Sequence, residues 1–201
     1  MYRLEPSFRR AILRDRNGTA LIEFALIAPL FFLILMFIFD SAYLMYARSI
    51  LRGEVNMAGR SSTLETATAD SRAAMDARVA DRVRLVVPHG QFSFDRTAFG
   101  NYSQAQARVE PFIDNDDSNT CNNGESFLDL NGNGQHDLNG GRAGGGGARD
   151  VVIYTVSLQY DRLFPIANMI GLNRTVNLRA QTLLKNQPFD SQTQPTTGQC
   201  P

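Results

Sequence analysis

Residues 16–40 read RNGTALIEFALIAPLFFLILMFIFD, and the reading of this stretch decides the rest of the chain. From Thr19 to Phe39 nearly every side chain is apolar. As a helix this run is about 30 Å long, the thickness of a bilayer's hydrocarbon core. One residue does not fit. Glu23 places a carboxylate inside the run, at a cost of roughly 3 kcal/mol near the bilayer centre. An ionisable group inside a span points to a function and to a partner for its charge.

The formal net charge of zero hides a split around this run. Before it stand Arg3, Arg9, Arg10, Arg14 and Arg16 against only Glu5 and Asp15, so the remaining chain is acidic. Arginine-rich flanks stay on the cytoplasmic side, which predicts an N-terminus inside and a body outside after Asp40. An acidic body also argues against a nucleic-acid partner, since a phosphate backbone requires a basic face. A partner for Glu23 can be named if the chain is cut. Cleavage after Gly18 would make Thr19 a new N-terminus with an ammonium group. That amine would stand about 6 Å along the helix from Glu23. In a low dielectric the two charges attract strongly, most usefully between neighbouring helices of a bundle.

A basic leader, a glycine, four residues, a glutamate and an apolar helix resemble a class III (prepilin-like) signal. In detail, GTALIEFALIAPLFFLILMFIFD resembles the N-terminal segment of the TadE-like pseudopilins of tight-adherence (Tad/Flp, type IVc) pilus systems. The resemblance implies cutting by a prepilin peptidase between Gly18 and Thr19. It also implies that Glu23 supports extraction from the membrane and assembly. Pro29 fits too, because Ala-Pro is common at this place in the family. The partners implied are the peptidase, other pilins or pseudopilins, an inner-membrane assembly platform and membrane lipid. The implied location is the bacterial inner membrane, single pass, with the C-terminal part periplasmic or extracellular or in the surface pilus. An uncleaved anchor with a snorkelling Glu23 is the alternative.

Downstream, SAYLMYARSILRGEVNMAG places Tyr43, Tyr46, Ala47, Ile50, Leu51, Val55 and Ala58 at spacings of three to four, an amphipathic continuation. Gly53 and Gly59 weaken it, and GRSSTLET predicts a break and restart. ADSRAAMDARVADRVRLVVP predicts a second helix, with Ala74, Met75, Val79, Val83 and Val86 inward and Arg72, Asp76, Arg78, Asp81, Arg82 and Arg84 on a solvated face. Pro88 and Gly90 should end it. QFSFD and ARVEPFI read as short strands. VVIYTVSLQY and TVNLRAQTLL are clearer, with Val152, Tyr154, Val156, Leu158 and Tyr160 on one face, and Val176, Leu178, Ala180, Thr182 and Leu184 on another. RLFPIANMIGL between them suits a short helix or packed crossover. The expected class is α+β: a long N-terminal transmembrane helix, with a second helix packed on a small antiparallel sheet. Such a plan is pilin-like, and the C-terminal strands ending KNQPF are similar to TadE family members. The expected division is a leader at 1–18, a membrane and assembly helix at 19–39 and a helical stalk at 40–90. A β-rich domain at 91–190 and a tail at 191–201 follow.

Residues 110–140 contain Glu110, Asp114, Asp116, Asp117, Glu125, Asp129 and Asp137 but no Lys or Arg. Carboxylates at this density repel unless solvated or bridged by a cation. Asp129, Asn131, Asn133, Gln135 and Asp137, with Gly134 at the sharp turn, reproduce the first nine positions of an EF-hand-type calcium loop. Gly140 stands where a bidentate Glu is expected, so Glu125 or an acid of DNDD at 114–117 is expected to complete the site. Calcium is then the one candidate cofactor, with Kd on the order of 0.1–1 mM. A solvated Asn/Gly turn is the alternative. GGRAGGGGARD reads as a flexible connector. Cys121 and Cys200 are the only cysteines. In an oxidising compartment they suggest one disulfide, with two unpaired thiols as the alternative. No G-x-S-x-G, P-loop or H-E-x-x-H occurs, and His89 and His136 have no nucleophile motif around them, so an enzyme is not expected. The sequence thus points to a TadE-like minor pilin supporting surface adhesion. The second reading is an uncleaved single-pass anchor carrying a calcium-stabilised binding module.

Overall fold

The computed structural model describes residues 17–62, 68–165, 171–187, 191–192 and 194–201. Several expectations therefore fall outside the described residues: the leader before Asn17, residues 63–67 of the expected break, residues 166–170 of the apolar crossover and residues 188–189 of KNQPF. The chain forms two compact units, Met1–Leu44 with Arg162–Arg174, and Met45–Asp161 with Thr175–Pro201.

The first unit is dominated by the start of helix α1, which runs over Asn17–Ser62. This helix is long and apolar enough to cross a membrane, and none of its apolar window is buried. Leu21, Leu26 and Ile27 are 72%, 76% and 64% exposed, an arrangement that suits lipid or neighbouring apolar helices rather than water. Pro29 lies inside the helix. Its missing N–H removes a backbone hydrogen bond, a loss that membrane helices tolerate. The uncharged run ends at Asp40, which is buried and ion-paired with Arg162. The Arg162 Nε also donates to the Asn173 carbonyl at 3.0 Å, so the guanidinium is held from two sides.

In the second unit the end of α1 turns Ala47, Leu51, Val55 and Ala58 inward, as the spacing predicts, whereas Tyr46 is exposed. The expected weak points do not interrupt the helix. Gly59 serves close packing, because a Cβ there would lie 3.0 Å from the Thr182 side chain and 3.1 Å from Leu184. Helix α2 covers Ala69–Arg84 and starts at Thr68, whose side chain accepts from the Ser71 N–H at 3.2 Å. Such caps satisfy an otherwise orphaned backbone donor. Met75, Val79, Ala80 and Val83 are its buried residues, so the inward stripe passes through Ala80 and not through Ala74.

The main sheet has four antiparallel strands in the order β3-β1-β4-β5: β1 Gln91–Phe99, β3 Arg142–Ala143, β4 Val151–Asp161 and β5 Thr175–Lys185. In β4, Tyr154 faces Arg96 on β1 and Thr182 on β5, and Val156 faces Phe94 and Ala180. Val152, Tyr154, Val156, Leu158 and Tyr160 are all buried, and Val151, Ile153 and Thr155 are buried on the opposite face. There Val151 and Ile153 cluster with Phe99 and with Ala105 of the short helix α3, Tyr102–Ala107. On α2, Asp76 departs from the expected solvated face. Asp76 receives two bonds from Arg96, at 2.6 and 2.9 Å, and a third from the Tyr154 hydroxyl at 2.6 Å. The fold is thus α+β, a long helix and a second helix with a small antiparallel sheet.

Two expectations are corrected. ARVEPFI is not a strand: α3 ends at Ala107, and Phe112 makes only an isolated bridge to Phe127. The Gly-rich connector packs, because it carries β3, Ala148 and Asp150, which is fully buried. The Asp150 carboxylate accepts from Arg142 at 2.7 Å, from the Gly147 N–H at 2.7 Å and from Gln192 at 3.1 Å. One charged residue therefore orders a stretch whose composition alone predicts none.

Candidate functional site

The residues of the expected processing site stand at the start of α1, which already includes Asn17 and Gly18. Glu23 lies one turn beyond Thr19 and is exposed, surrounded along the helix by exposed Leu21, Ile22, Phe24, Leu26 and Ile27. A carboxylate in that setting satisfies itself only in water or against a cation. Its chemistry here is electrostatic.

The second candidate site is the acidic stretch at 110–140, which includes β2, Ser126–Asp129, beside β6, Thr196–Gln199. These strands pair antiparallel, with Phe127 opposite Gly198. A Cβ at Gly198 would lie 2.3 Å from the Phe127 ring, so only glycine lets the tail approach. Cys121 and Cys200 form the expected disulfide, and the Cys200 N–H donates to the Glu125 carbonyl at 2.7 Å.

The residues expected to bind calcium are brought together. Asp129 is buried and accepts from the Gly132 and Gly134 N–H groups at 2.6 and 2.8 Å. Asn131 and Asn133 accept through their side-chain oxygens from the N–H groups of Asn133 and Gln135, at 3.0 and 2.7 Å. Both amide nitrogens donate to one Asp137 oxygen, at 2.8 and 2.7 Å. These bonds, that from Asn131 first, hold the Asp137 carboxyl below the usual aspartate value against its partial desolvation. Gly132 and Gly134 have φ of 80° and 76°, the left-handed region that favours glycine.

Glu125 is engaged by the Asn115 and Asn122 N–H groups of its own stretch, whereas the carboxylate that reaches the 129–137 loop belongs to Glu110, from before it. Its carboxylate is fully buried and accepts from the Leu130 and Asp137 N–H groups at 2.7 and 2.9 Å. A Cβ on Gly140 would lie 2.3 Å from the Glu110 Cγ, so Glu110 fills the space that a side chain at Gly140 would need. His136 secures the arrangement: its Nε2 is 2.8 Å from the Glu110 carbonyl, and its ring stands edge-on to Phe112 and Phe127 at 5.2 and 5.5 Å. Glu110 was visible in the sequence only as one more acid, since a side chain that enters from outside a loop has no spacing to betray it.

Beside this loop, Asp114, Asp116 and Glu125 bring their carboxylates within 4.8 Å of one another. Asp116 is held below the usual aspartate value, chiefly by the Ser118 hydrogen bond. Among the described residues, Glu110, Glu125 and Asp129 form no ion pair, although all three are buried. The acidic and amide side chains of both stretches offer oxygen, which suits a hard cation such as calcium rather than zinc.

Residues 18–60 match the family model described as TadE-like protein. The match begins at Gly18, includes Glu23 and covers about a fifth of the chain, so the N-terminal segment is TadE-like. No curated protein and no solved structure matches the chain.

Proposed function

We propose that this chain is a minor pilin or pseudopilin of TadE type. A prepilin peptidase cuts it between Gly18 and Thr19, and α1 then enters or primes a tight-adherence pilus that supports surface adhesion. The observation that carries this reading is the family match beginning at Gly18 on a helix whose apolar window has no buried residue. Before cleavage the helix anchors the chain in the inner membrane. After cleavage the Thr19 ammonium gives Glu23 a partner of opposite charge, on this subunit or on its neighbour, while the apolar side chains pack against other helices. The chain acts as a substrate and a building block, with recognition rather than catalysis as its chemistry. N-terminal sequencing of the protein from its host tests the cut: a mature chain starting at Thr19 is expected, and an intact leader overturns it. Glu23→Ala should leave the cut in place and strip the surface of pili. Unchanged piliation in that variant removes the assembly role.

A second element of the reading is favoured by Glu110. The loop at 129–137 holds calcium through Asp129, Asn131, Asn133, Asp137 and the Gln135 carbonyl, with Glu110 supplying the last carboxylate. An uncleaved anchor would carry the same module, so N-terminal sequencing separates the two functional readings. Calcium should raise the melting temperature, and Asp129→Asn with Asp137→Asn should remove most of that rise. A parent protein indifferent to calcium overturns the ion site.

A further inference from the structure

Residues 114–125 repeat the arrangement of residues 129–140 position by position, although the two sequences hardly resemble each other. Counting Asp114 as position one puts oxygen-bearing side chains at the first, third, fifth and ninth positions: Asp114, Asp116, Ser118 and Asn122. Glu125 then falls on the twelfth, where a bidentate carboxylate belongs, and Thr120 offers its carbonyl at the seventh. The fourth and sixth residues are left-handed in both loops. In the first they are Asp117 and Asn119, with φ of 55° and 57°, and in the second Gly132 and Gly134.

The hydrogen bonds repeat as well. Asp114 accepts from the sixth-position N–H at 2.8 Å, as Asp129 does in its own loop at 2.8 Å. Asp116 accepts from the fifth at 3.1 Å, the counterpart of Asn131 at 3.0 Å. Glu125 accepts from the second and ninth, Asn115 and Asn122, at 2.6 and 3.3 Å. Glu110 accepts from the second and ninth of the other loop, Leu130 and Asp137. Glu110 and Glu125 are therefore structural equivalents, and both are buried.

Such bonds alone would make only a well-ordered turn. A separate observation points to a ligand. The Oδ1 of Asn122 is enclosed by protein and accepts no hydrogen bond among the described residues. The nitrogen of the same amide donates to Ser118 Oγ and Thr120 Oγ1, at 2.9 and 3.1 Å, which places the side chain among the other loop oxygens. A buried acceptor with no donor carries an uncompensated desolvation cost. At the ninth position of this loop type the missing partner is a cation. The eighth positions are pinned on both sides, Cys121 by its disulfide and His136 between its two phenyl rings.

We propose that residues 114–125 form a second calcium site, through Asp114, Asp116, Ser118, the Thr120 carbonyl, Asn122 and Glu125, paired with the loop at 129–140. This proposal extends the calcium reading of the neighbouring loop and is independent of the pilus assignment. The test is equilibrium dialysis of the full chain in detergent against radioactive calcium, with the disulfide checked as closed. The parent should bind two ions per chain. Glu125→Gln should bind one, as should Asp116→Asn, whose exposed side chain can be exchanged without disturbing folding. Asp137→Asn should also bind one. A parent that binds a single ion, lost with Asp137→Asn but kept with Glu125→Gln and Asp116→Asn, overturns the second site and leaves the first. A single ion lost with Asp116→Asn but kept with Asp137→Asn upholds this proposal and overturns its neighbour. A parent that binds none overturns both.

Discussion

The first half of α1 and the double loop at 110–140 depart from the usual distribution of side chains in opposite senses. The helix carries its largest apolar residues outward, with Leu26 76% exposed, while the double loop keeps Glu110 fully buried and Glu125 and Asp129 nearly so. An isolated globular protein in water does the reverse. Each region is therefore suited to a partner of its own chemistry: lipid or other apolar helices for the helix and, in the reading proposed above, a cation for the loops. The difference also lies in how each tolerates the partner's absence. The helix satisfies its own backbone, so it stays a helix in any apolar setting. The loops spend backbone N–H groups on carboxylates, so their order depends on charge.

The sharpest way to break this comparison is to open the disulfide. Cys200→Ser removes a cross-link between residues separated by 79 positions, and should destabilise the second unit by about 4 kcal/mol in the chain-entropy model. Hydrogen exchange should rise across 110–140 and the tail while residues 19–39 stay protected. A uniform rise would show that the two regions are not independent. Asp76→Ala supplies a contrast away from the loops. It strands Arg96, partly buried, and Tyr154, fully buried, and should cost about 2–3 kcal/mol after allowance for the solvent access of Arg96, equally with and without calcium. Denaturant unfolding in both conditions checks it.

Gly140→Ala sharpens the contrast between the two loops. The new methyl meets Glu110, so a loss of about 1–3 kcal/mol is expected, along with weaker calcium binding at 129–140 and none of that change at 114–125. Equal weakening at both loops would mean that they share one site. The smallest effect is that of pH. Asp116 and Asp137 are held below the ordinary aspartate value of 3.8, so their contribution is complete above that value and is lost as the pH falls below it. Both lie at the surface, where screening keeps the effect modest. Melting scans downward from pH 5 should show a decline that calcium displaces to lower pH. A decline beginning near neutrality would point to other groups.

The legible parts of the chain were those in which one residue's role is set by its neighbours in sequence. Period alone placed Leu51 and Val55 inward on α1 and Tyr154 and Val156 inward on β4. Gly18 and Glu23 declared themselves because an apolar run makes any departure conspicuous. The parts that stayed hidden depend on distant partners. Asp76 looked like one charge among many on α2, because nothing nearby announces Arg96 and Tyr154. The Gly-rich connector looked empty because its order comes from Asp150, Arg142 and Gln192 converging in space. The loop at 129–137 was readable through Gly134, whereas 114–125 was missed because Asn119 adopts the same left-handed turn without being glycine. Glu125 stands at the twelfth position counted from Asp114, a spacing that the sequence already shows.

The link between Cys121 and Cys200 also has a mechanical meaning. It closes β2, β3, β4, β5 and β6 inside one covalent ring. Tension applied between α1 and the tail crosses from residue 121 to residue 200 through sulfur and never loads the strands between them. About 270 Å of contour length is thereby withheld from stretching. A subunit built this way lengthens under a pull only through what precedes the ring, so most of the second unit's sheet keeps its shape while the helix takes the strain.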